Sequence, residues 1–314
     1  MLTLNLRKIR GLNIVITGAS SGIGKAIALS LAHSGANLVL ASRREAILQD
    51  VASECESKGG RAIAIKTDVT NYEDIQNLMK KALDFYGSID VWINNAGVLA
   101  AGEFTDTPLE VHEQVLNVNL FGPLHGMYAV LPYFQERGTG QIINTVSMGG
   151  YVPNPYSVAY CASKFGLRGL TEALRYENAK FKDIHICDVN PAFIDTPGLG
   201  HAANYTGTEM PAVPPLYDPF QVADAVLSLI GRPRDSVMVG GSARAGRFAH
   251  FVLPSVLGKS MAKLAESYFK SGKKVKDTEG NLFDSGYTDH EARGERMTRP
   301  SLLKRYFNKK YALE

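Results

Sequence analysis

Residues 13–24 read NIVITGASSGIG, a short β-branched run followed by a glycine-rich turn and the start of a helical segment. Glycine permits positive φ angles and lets backbone N–H groups approach a ligand closely. At the N-terminus of a helix such N–H groups bind phosphate. The stretch therefore predicts a strand, a turn that binds the pyrophosphate of a nucleotide, and a helix. The residues expected to form this binding turn are Thr17, Gly18, Ser20, Ser21, Gly22, Ile23 and Gly24.

The spacing of the glycines separates this turn from two other phosphate-binding motifs. Gly18, Gly22 and Gly24 give G-x-x-x-G-x-G, whereas the common dinucleotide fingerprint is G-x-G-x-x-G. Lys25 invites comparison with the P-loop of nucleoside triphosphatases, but that motif needs glycine at position 19 and serine or threonine at position 26. Alanine occupies both positions, so the P-loop is excluded.

Strand-like and helix-like segments alternate along most of the chain. Helical composition is found at residues 22–34, 45–58, 72–86 and 159–181. A helix commonly connects one parallel strand to the next. The pattern predicts an α/β fold with a doubly wound, parallel, seven-stranded sheet of the Rossmann-like type. The predicted strands are 13–17, 36–41, 61–66, 89–94, 141–146, 184–189 and 236–239.

Two regions depart from this alternation. Residues 191–219 are rich in proline and lack a periodic pattern, which is typical of a functional loop, so we expect a substrate lid there. Residues 1–245 are predicted to form a single dinucleotide-binding catalytic domain that includes the lid. Residues 246–314 are predicted to form a C-terminal extension that is α-helical or irregular.

The predicted extension is more basic than the rest of the chain. Residues 246–314 carry 14 Lys and Arg against 8 Asp and Glu, whereas residues 1–245 carry 20 against 23. Apolar residues in its first part recur at helical spacing, which predicts an amphipathic helix. This helix packs on its own domain or a neighbouring subunit, or it makes peripheral contact with an anionic membrane. The recurring residues are Leu257, Met261, Leu264, Ala265 and Tyr268.

Composition argues against several classes of protein. A net charge of +3 gives no reason to expect nucleic-acid binding. The seven histidines show no ligand cluster, so no metal site is expected. Cys55, Cys161 and Cys187 are widely spaced without a redox or metal motif, which fits a reducing, cytoplasmic location. No apolar run approaches the roughly 20 residues that cross a bilayer.

The end of the second predicted strand bears on the choice of nucleotide. NAD-binding proteins of this class carry an acid about 20 residues after the glycine turn, which holds the ribose hydroxyls. Here the strand ends in Ser42, Arg43 and Arg44. Arginine binds a phosphate through two hydrogen bonds, whereas an acid repels it. We therefore expect NADP rather than NAD, with Arg43 as the preferred contact. The alternative, two solvated arginines at a helix start, is disfavoured by the helix dipole.

A Tyr-x-x-x-Lys segment supplies candidate catalytic groups. Tyr160 and Lys164 lie four residues apart in a predicted helix and so share one face. An ammonium near a phenol favours the phenolate and lowers its pKa from about 10. Tyr160 is thus a candidate acid and base, and Ser147 is a candidate donor to the same substrate oxygen. The pattern alone is common by chance, and the alternative is an ordinary pair on a surface helix.

Taken in order, these segments resemble the short-chain dehydrogenase/reductase family in its shorter form, over residues 11–245. The family's catalytic tetrad is matched in order and spacing by Asn119, Ser147, Tyr160 and Lys164. Ala192 stands where the family usually has glycine, and we expect its methyl group to narrow the part of the cofactor site that holds the nicotinamide. The segments that contact the cofactor in the family are matched by Asp68 and Val69, by Asn95, Ala96 and Gly97, and by Pro191, Ile194 and Thr196.

The resemblance implies an NADP-dependent oxidoreductase that transfers hydride between the nicotinamide and a carbonyl or secondary alcohol carbon. Tyr160 then exchanges the proton and Ser147 positions the substrate oxygen. Asn119 holds a helix open for a proton relay through Lys164. The resemblance also implies a homodimer or homotetramer. One alternative is a non-catalytic NADP-binding sensor or scaffold. A second alternative is a nucleotide-sugar epimerase or dehydratase, but the spacing of Gly22 and Gly24 disfavours it.

The predicted lid indicates the class of substrate. Its charged residues are Asp195, Glu209 and Asp218, and residues 191–219 contain no Lys or Arg to bind an anionic substrate. We therefore expect a small apolar carbonyl or alcohol substrate that is lipid-like, steroid-like or aromatic.

Overall fold

The centre of the protein is a parallel β-sheet, seen in a computed structural model that describes residues 9–211, 215–284, 286 and 291–294. The order of strands across the seven-stranded sheet is β3-β2-β1-β4-β6-β7-β9 when they are numbered along the chain. The short strands β5 and β8 pair with each other outside it. The strands are β1 (Asn13–Thr17), β2 (Asn37–Ser42), β3 (Arg61–Lys66), β4 (Val91–Asn94), β5 (Ala100–Gly102), β6 (Gly140–Thr145), β7 (Ile184–Pro191), β8 (Ala203–Tyr205) and β9 (Ser236–Val239).

Helices cover both faces of the sheet, which confirms the predicted doubly wound α/β fold and the helical character of the extension. A π-helical segment, Asn117–Phe121, joins the fourth helix to the fifth. The α-helices are α1 (Gly22–His33), α2 (Glu45–Ser57), α3 (Tyr72–Tyr86), α4 (Leu109–Leu116), α5 (Gly122–Arg137), α6 (Val158–Glu177), α7 (Pro219–Gly231), α8 (Gly241–Val252) and α9 (Pro254–Ser271).

The core is divided between the two faces of the sheet. Ile14 and Ile16 of β1 point into a cluster with α1, α2 and α7, and Val15 points into a cluster with helices α3 to α6. This follows from the alternation of side chains along a strand. Because both faces are covered, β1 is buried along its whole length, as its unbroken apolar sequence predicts.

A chain of buried hydrogen bonds ties the middle of the sheet to α6. Trp92 Nε1 donates to Asn94 Oδ1 at 2.8 Å, and Asn94 Nδ2 donates to Asn144 Oδ1 at 2.8 Å. Asn144 Nδ2 in turn donates to Thr171 Oγ1 at 2.9 Å. Buried amides are stable only when they are paired, so this network specifies how β4, β6 and α6 fit together.

The structure adds elements that the sequence pattern did not predict, namely α4, α5, α7 and the β5–β8 pair. The residues of the predicted amphipathic helix, Leu257 to Tyr268, all lie in α9, which begins at Pro254 and is preceded by the separate helix α8. The domain division at residue 245 stays a prediction, and α8 runs continuously through it. Residues 1–8 of the predicted domain and residues 295–314 of the predicted extension lie outside the described residues.

Candidate active site

A cleft of about 730 Å³ lies at the carboxyl ends of the strands. Strand order reverses between β1 and β4, and in open parallel sheets the ligand crevice forms at this position. Loops that follow β1, β2, β4, β6 and β7 contribute to its walls. Its size is within the roughly 300–1,000 Å³ that small-molecule clefts occupy.

The predicted site residues line this cleft, except for Thr17 and Asn119, which are buried behind its wall. The Thr17 hydroxyl accepts hydrogen bonds from the backbone N–H groups of Asn95 and Ala96, at 3.0 and 3.2 Å. Thr17 therefore holds the end of β1 against the segment that follows β4. It positions the cleft and does not face it.

The glycine turn is packed too closely for side chains. Gly18 has a φ of +67°, and a Cβ at this position would lie 2.6 Å from the Cα of Ala96. A Cβ on Gly24 would collide with the carbonyl oxygen of Gly18. The Asn95 amide donates to the carbonyls of Thr17 and Gly18 at 3.1 and 3.2 Å, which fixes the shape of the turn.

The two arginines at the end of β2 have different partners. Arg44 Nη2 donates to the hydroxyls of Ser20 and Ser21, at 3.0 and 2.8 Å, so it lies directly beside the glycine turn. Arg43 instead donates to backbone carbonyls of residues 281–283, in the C-terminal extension. Both line the cleft. The sequence alone favoured Arg43 as the phosphate contact, but Arg44 is the one bonded to the turn.

The loop after β3 is held by its own side chains. Asp68 Oδ1 accepts hydrogen bonds from Thr70 N at 2.9 Å and Thr70 Oγ1 at 2.8 Å. The carbonyl of Val69 bonds to the ring of His125 at 2.9 Å. Asp68 and Val69 thus form a rigid edge of the cleft on the same side as Arg43.

Asn119 lies in the π-helical segment between α4 and α5. A π-helix is wider than an α-helix and often occurs at functional sites. Its amide is fully buried and exchanges two hydrogen bonds of 2.8 Å with the backbone of Val98, and it also donates to Ser163. The side chain therefore ties the segment after β4 to α6, and the proton relay expected at this position stays a prediction.

Ser147, Tyr160 and Lys164 come together in the middle of the cleft. Ser147 follows β6, while Tyr160 and Lys164 lie one turn apart in α6. The Ser147 hydroxyl accepts a hydrogen bond from Gly149 N at 3.0 Å and lies close enough to Tyr160 to affect the pKa of its phenol. Lys164 Nζ donates to the carbonyl of Thr145 at 2.9 Å and lies 5.8 Å from the centroid of the Tyr160 ring.

The pKa values differ from the expectation for a Tyr–Lys pair. Burial raises the pKa of the Tyr160 phenol, and the Ser147 hydroxyl offsets part of this rise. The prediction that Lys164 lowers the pKa of Tyr160 is wrong for the protein's own side chains, because desolvation penalises the phenolate. Burial also lowers the pKa of the Lys164 ammonium, to about 8.

The other end of the cleft is apolar. Within the described lining the charged side chains are Arg43, Arg44, Asp68 and Lys164, and none of them lies in residues 191–219 or on α9. Tyr156 packs on Phe269 of α9 with ring centroids 4.6 Å apart. The sequence pattern did not place α9 at the site, although the helical spacing of its apolar residues indicated a face that packs against another part of the protein. The apolar lining includes Met148, Val152, Ala192, Phe193, Leu199, Met210, Met261, Leu264, Ala265 and Phe269.

The chain is similar in sequence to a family of known proteins. The family profile described as short chain dehydrogenase matches residues 12–204. The uncharacterized oxidoreductase YxnA of Bacillus subtilis is 32% identical over 92% of this chain and 82% of its own length. The uncharacterized oxidoreductase Lmo0432 of Listeria monocytogenes is 41% identical over 58% of this chain and 74% of its own length.

Solved structures are similar as well. An alcohol dehydrogenase from the archaeon Thermococcus sibiricus, complexed with 5-hydroxy-NADP, is 28% identical with a TM-score of 0.63, over 72% of this chain and 94% of its own. A short chain dehydrogenase/reductase from Burkholderia phymatum, in complex with NAD, is 25% identical with a TM-score of 0.68, over 86% and 98%. Both forms of the nucleotide thus occur among the structural neighbours.

Lys164→Met is expected to change how stability depends on pH. The ammonium has a pKa of about 8 in the folded protein, against 10.5 as its ordinary value. Below pH 8 the folded state therefore bears the full cost of the buried charge, and this cost disappears between pH 8 and 10.5. In urea unfolding, the stability of Lys164→Met relative to the unmutated protein should fall by about 2 kcal/mol between pH 7 and pH 9.5.

The pH dependence isolates the charge, because losing the hydrogen bond to Thr145 affects stability equally at both pH values. Lys259→Met is the matched control, since Lys259 is exposed on α9. A stability difference for Lys164→Met that is the same at pH 7 and 9.5 would contradict the depressed pKa.

Proposed function

The chain belongs to the short-chain dehydrogenase family, and we propose that it uses NADP to interconvert an apolar carbonyl compound and the corresponding secondary alcohol. Membership makes it an oxidoreductase with a nucleotide-binding, Rossmann-like fold. The observation that carries the proposal is the cluster of Ser147, Tyr160 and Lys164 between the glycine turn and an apolar wall. A nucleotide and an apolar substrate in one cleft would meet at these three side chains.

The protein's residues contribute proton transfer and orientation to this reaction. When bound, the nicotinamide supplies or accepts the hydride. Tyr160 donates its proton to the oxygen of the carbonyl being reduced, and its raised pKa keeps the phenol protonated at neutral pH. Ser147 donates a hydrogen bond to the same oxygen as negative charge develops there. Lys164, with a pKa of about 8, exchanges protons near neutral pH and so restores the phenol.

Tyr160→Phe should retain the fold and nucleotide binding while lowering the rate of carbonyl reduction by about 10²–10⁴, the effect of losing a general acid. NADPH oxidation with a ketone substrate measures the rate, and nicotinamide fluorescence measures binding. Tyr156→Phe is the matched control, because Tyr156 also lines the cleft but lies outside the Ser147–Tyr160–Lys164 cluster. Near-normal turnover by Tyr160→Phe would exclude it as the proton donor. Binding of NADP without turnover of any substrate by the unmutated protein would favour the alternative, a sensor or scaffold.

The preference for NADP over NAD is supported by Arg43 and Arg44, which line the cleft directly after β2, where an acid would favour NAD. An arginine–phosphate hydrogen bond contributes about 1.5–3 kcal/mol. Arg44→Ala is therefore expected to weaken NADPH binding by roughly tenfold or more and NADH binding much less. Fluorescence titration gives both dissociation constants, with Arg43→Ala measured alongside. If Arg44→Ala weakens both nucleotides equally, Arg44 does not bind the 2′-phosphate.

The substrate is proposed to be lipid-like, steroid-like or aromatic. The described lining beyond Tyr160 is uncharged and mostly apolar, and it comes from residues 191–219, the loop after β6, and α9. A small anionic substrate would need a cation on this wall, whereas apolar side chains favour a ligand that buries apolar surface. Turnover of ketones and secondary alcohols of graded chain length tests this, and activity confined to small anionic substrates would contradict it.

A homodimer or homotetramer is proposed from the exposed apolar residues of α5 and its neighbours. Phe121 and Tyr128 lie seven residues apart, so they share a helical face, and both are exposed together with Leu109 of α4. Such a surface on a protein of this size favours a second copy. Light scattering of the unmutated protein and of Tyr128→Glu measures the assembly, and a monomer in both would contradict the proposal.

Peripheral contact with an anionic membrane is proposed for the turn between α8 and α9. Phe248 and Phe251 are 70% and 85% exposed, and Val252, Leu253 and Val256 are exposed beside them. Residues 241–271 carry five Lys and Arg and one Glu. Basic residues near anionic headgroups contribute about 1 kcal/mol each.

Within the described residues no helix has the length and apolar character of a membrane span. The buried, unpaired Cys55, Cys161 and Cys187 support a reducing, cytoplasmic side for this contact.

Co-sedimentation with phosphatidylglycerol vesicles tests the membrane contact. The unmutated protein should bind at low salt and less at high salt, and a Phe251→Ser, Val256→Ser double variant should bind at least roughly tenfold more weakly, since each buried apolar side chain contributes on the order of 1.5 kcal/mol. Phe85→Ser is the control, because Phe85 is exposed on α3. Equal binding by all three proteins, or none at low salt, would contradict the contact.

A further inference from the structure

One face of α9 forms a wall of the cleft. The residues of this face recur at three- and four-residue spacing, so they form a single apolar stripe along the helix. From the first of them to the last the helix rises about 12 Å, at about 1.5 Å per residue. We call this face the α9 stripe, and its members are Met261, Leu264, Ala265, Tyr268 and Phe269.

The described residues leave the α9 stripe largely uncovered. All of α9 lies in the described part of the chain, and none of its residues is buried. Leu264 is 72% exposed although it lines the cleft, so it lies at the open mouth. An amphipathic helix ordinarily packs its apolar face against the core of the protein. The α9 stripe instead faces the open volume of the cleft, where an apolar ligand would remove it from water.

Both ends of α9 are attached to the walls of the cleft. The last carbonyl groups of a helix have no partner within it. Here the carbonyl of Phe269 accepts a hydrogen bond of 2.9 Å from the hydroxyl of Thr208, which is fully buried among residues 191–219. At its other end α9 follows α8, where a Cβ added to Gly246 would lie 3.5 and 3.6 Å from the side chains of Met148 and Val152. The middle of α9 therefore lies along the cleft between two attachments.

Tyr156 joins the α9 stripe to the segment that leads to Tyr160. Its ring meets that of Phe269 edge to face, with centroids 4.6 Å apart, and it precedes Tyr160 by four residues. Its φ of +64° is unfavourable for an aromatic residue, and such a conformation persists only where the surroundings hold it. The Tyr156 carbonyl accepts a hydrogen bond of 2.9 Å from Gly102 N. This contact ties the position of the stripe to that of Tyr160.

We propose that the substrate is elongated and apolar, and that the part of it remote from the reacting carbonyl or alcohol lies along the α9 stripe. The stripe and Tyr160 line the same cleft, and the described lining beyond Tyr160 carries no charge that would bind a polar tail. Leu264 is then a specificity-determining residue, because its side chain is available to the substrate and contributes little to packing within the protein. The inference rests on the proposed function and adds the shape of the substrate and the helix that selects it.

Steady-state reduction of 2-butanone and 2-decanone by the full-length protein with NADPH tests the role of Leu264. The unmutated protein should have the higher kcat/KM for 2-decanone. Leu264→Asp should lower kcat/KM for 2-decanone about tenfold or more, through a higher KM, because a charge replaces an apolar contact. It should leave kcat/KM for 2-butanone within about twofold, since this ketone is too short to reach the stripe.

Ala262→Asp is the matched control for Leu264→Asp. Ala262 is exposed on the same helix, does not line the cleft, and lies about 200° around the helix from Leu264. Because both variants introduce the same charge, an effect on the helix or on net charge would appear in both. Ala262→Asp should leave kcat/KM for both ketones within about twofold of the unmutated protein.

Leu264→Cys gives a second measurement that needs no turnover and still decides if Leu264→Asp does not fold. The native Cys55, Cys161 and Cys187 are buried, so a maleimide reacts with the introduced thiol. Saturating 2-decanone, with NADP bound, should slow this reaction about threefold or more, and it should not slow the reaction of Ala262→Cys.

Three results would overturn the role of the α9 stripe. The first is an effect of Leu264→Asp that is equal for the two ketones, including no effect on either. The second is a thiol that 2-decanone does not protect. The third is a lower molecular mass for Leu264→Asp in light scattering, because a second copy of the chain would then cover the stripe. If the unmutated protein binds neither NADPH nor NADH, the proposed function itself fails, which is a different result.

Discussion

The cleft depends on the side-by-side placement of the carboxyl ends of β1 and β4, where the order of strands reverses. Helices that follow strands on opposite sides of this point diverge and leave a crevice between them. Thr17 bridges the two strand ends through the N–H groups of Asn95 and Ala96. Because Thr17 is buried and the Asn95 amide also donates to the carbonyls of Thr17 and Gly18, the glycine turn is fixed against the segment that follows β4.

The cluster of Ser147, Tyr160 and Lys164 is built at a cost to stability. Lys164 is buried with a depressed pKa, and desolvation also disfavours the phenolate of Tyr160. A core of this size would be more stable with apolar residues at both positions. The hydrogen-bonded chain from Trp92 through Asn144 to α6 offsets this by fixing the helix that carries both residues. The hydrogen bonds of Trp92, Asn94 and Asn144 thus help to hold α6 in place although it carries the buried ammonium of Lys164.

The C-terminal extension contributes to both halves of the cleft. Met261 and Phe269 of α9 add to the apolar wall, and Asn281, which follows α9 in the chain, also lines the cleft. The exposed turn around Phe251 lies on the same pair of helices. An extension that follows the other strands and helices in sequence therefore forms part of the wall of the cleft in the folded protein.

The seven strands, the glycine turn and the Tyr160–Lys164 pair were predictable from sequence, because hydrophobic periodicity and helical spacing are local properties. The β5–β8 pair and helices α4, α5 and α7 were missed. The partners of Arg43, more than 230 residues further along the chain, and the α9 wall were not predictable, since only folding brings them together. The pKa of Tyr160 was also not predictable from sequence. Its neighbour Lys164 predicted a lowered pKa, whereas burial in the folded protein raises it.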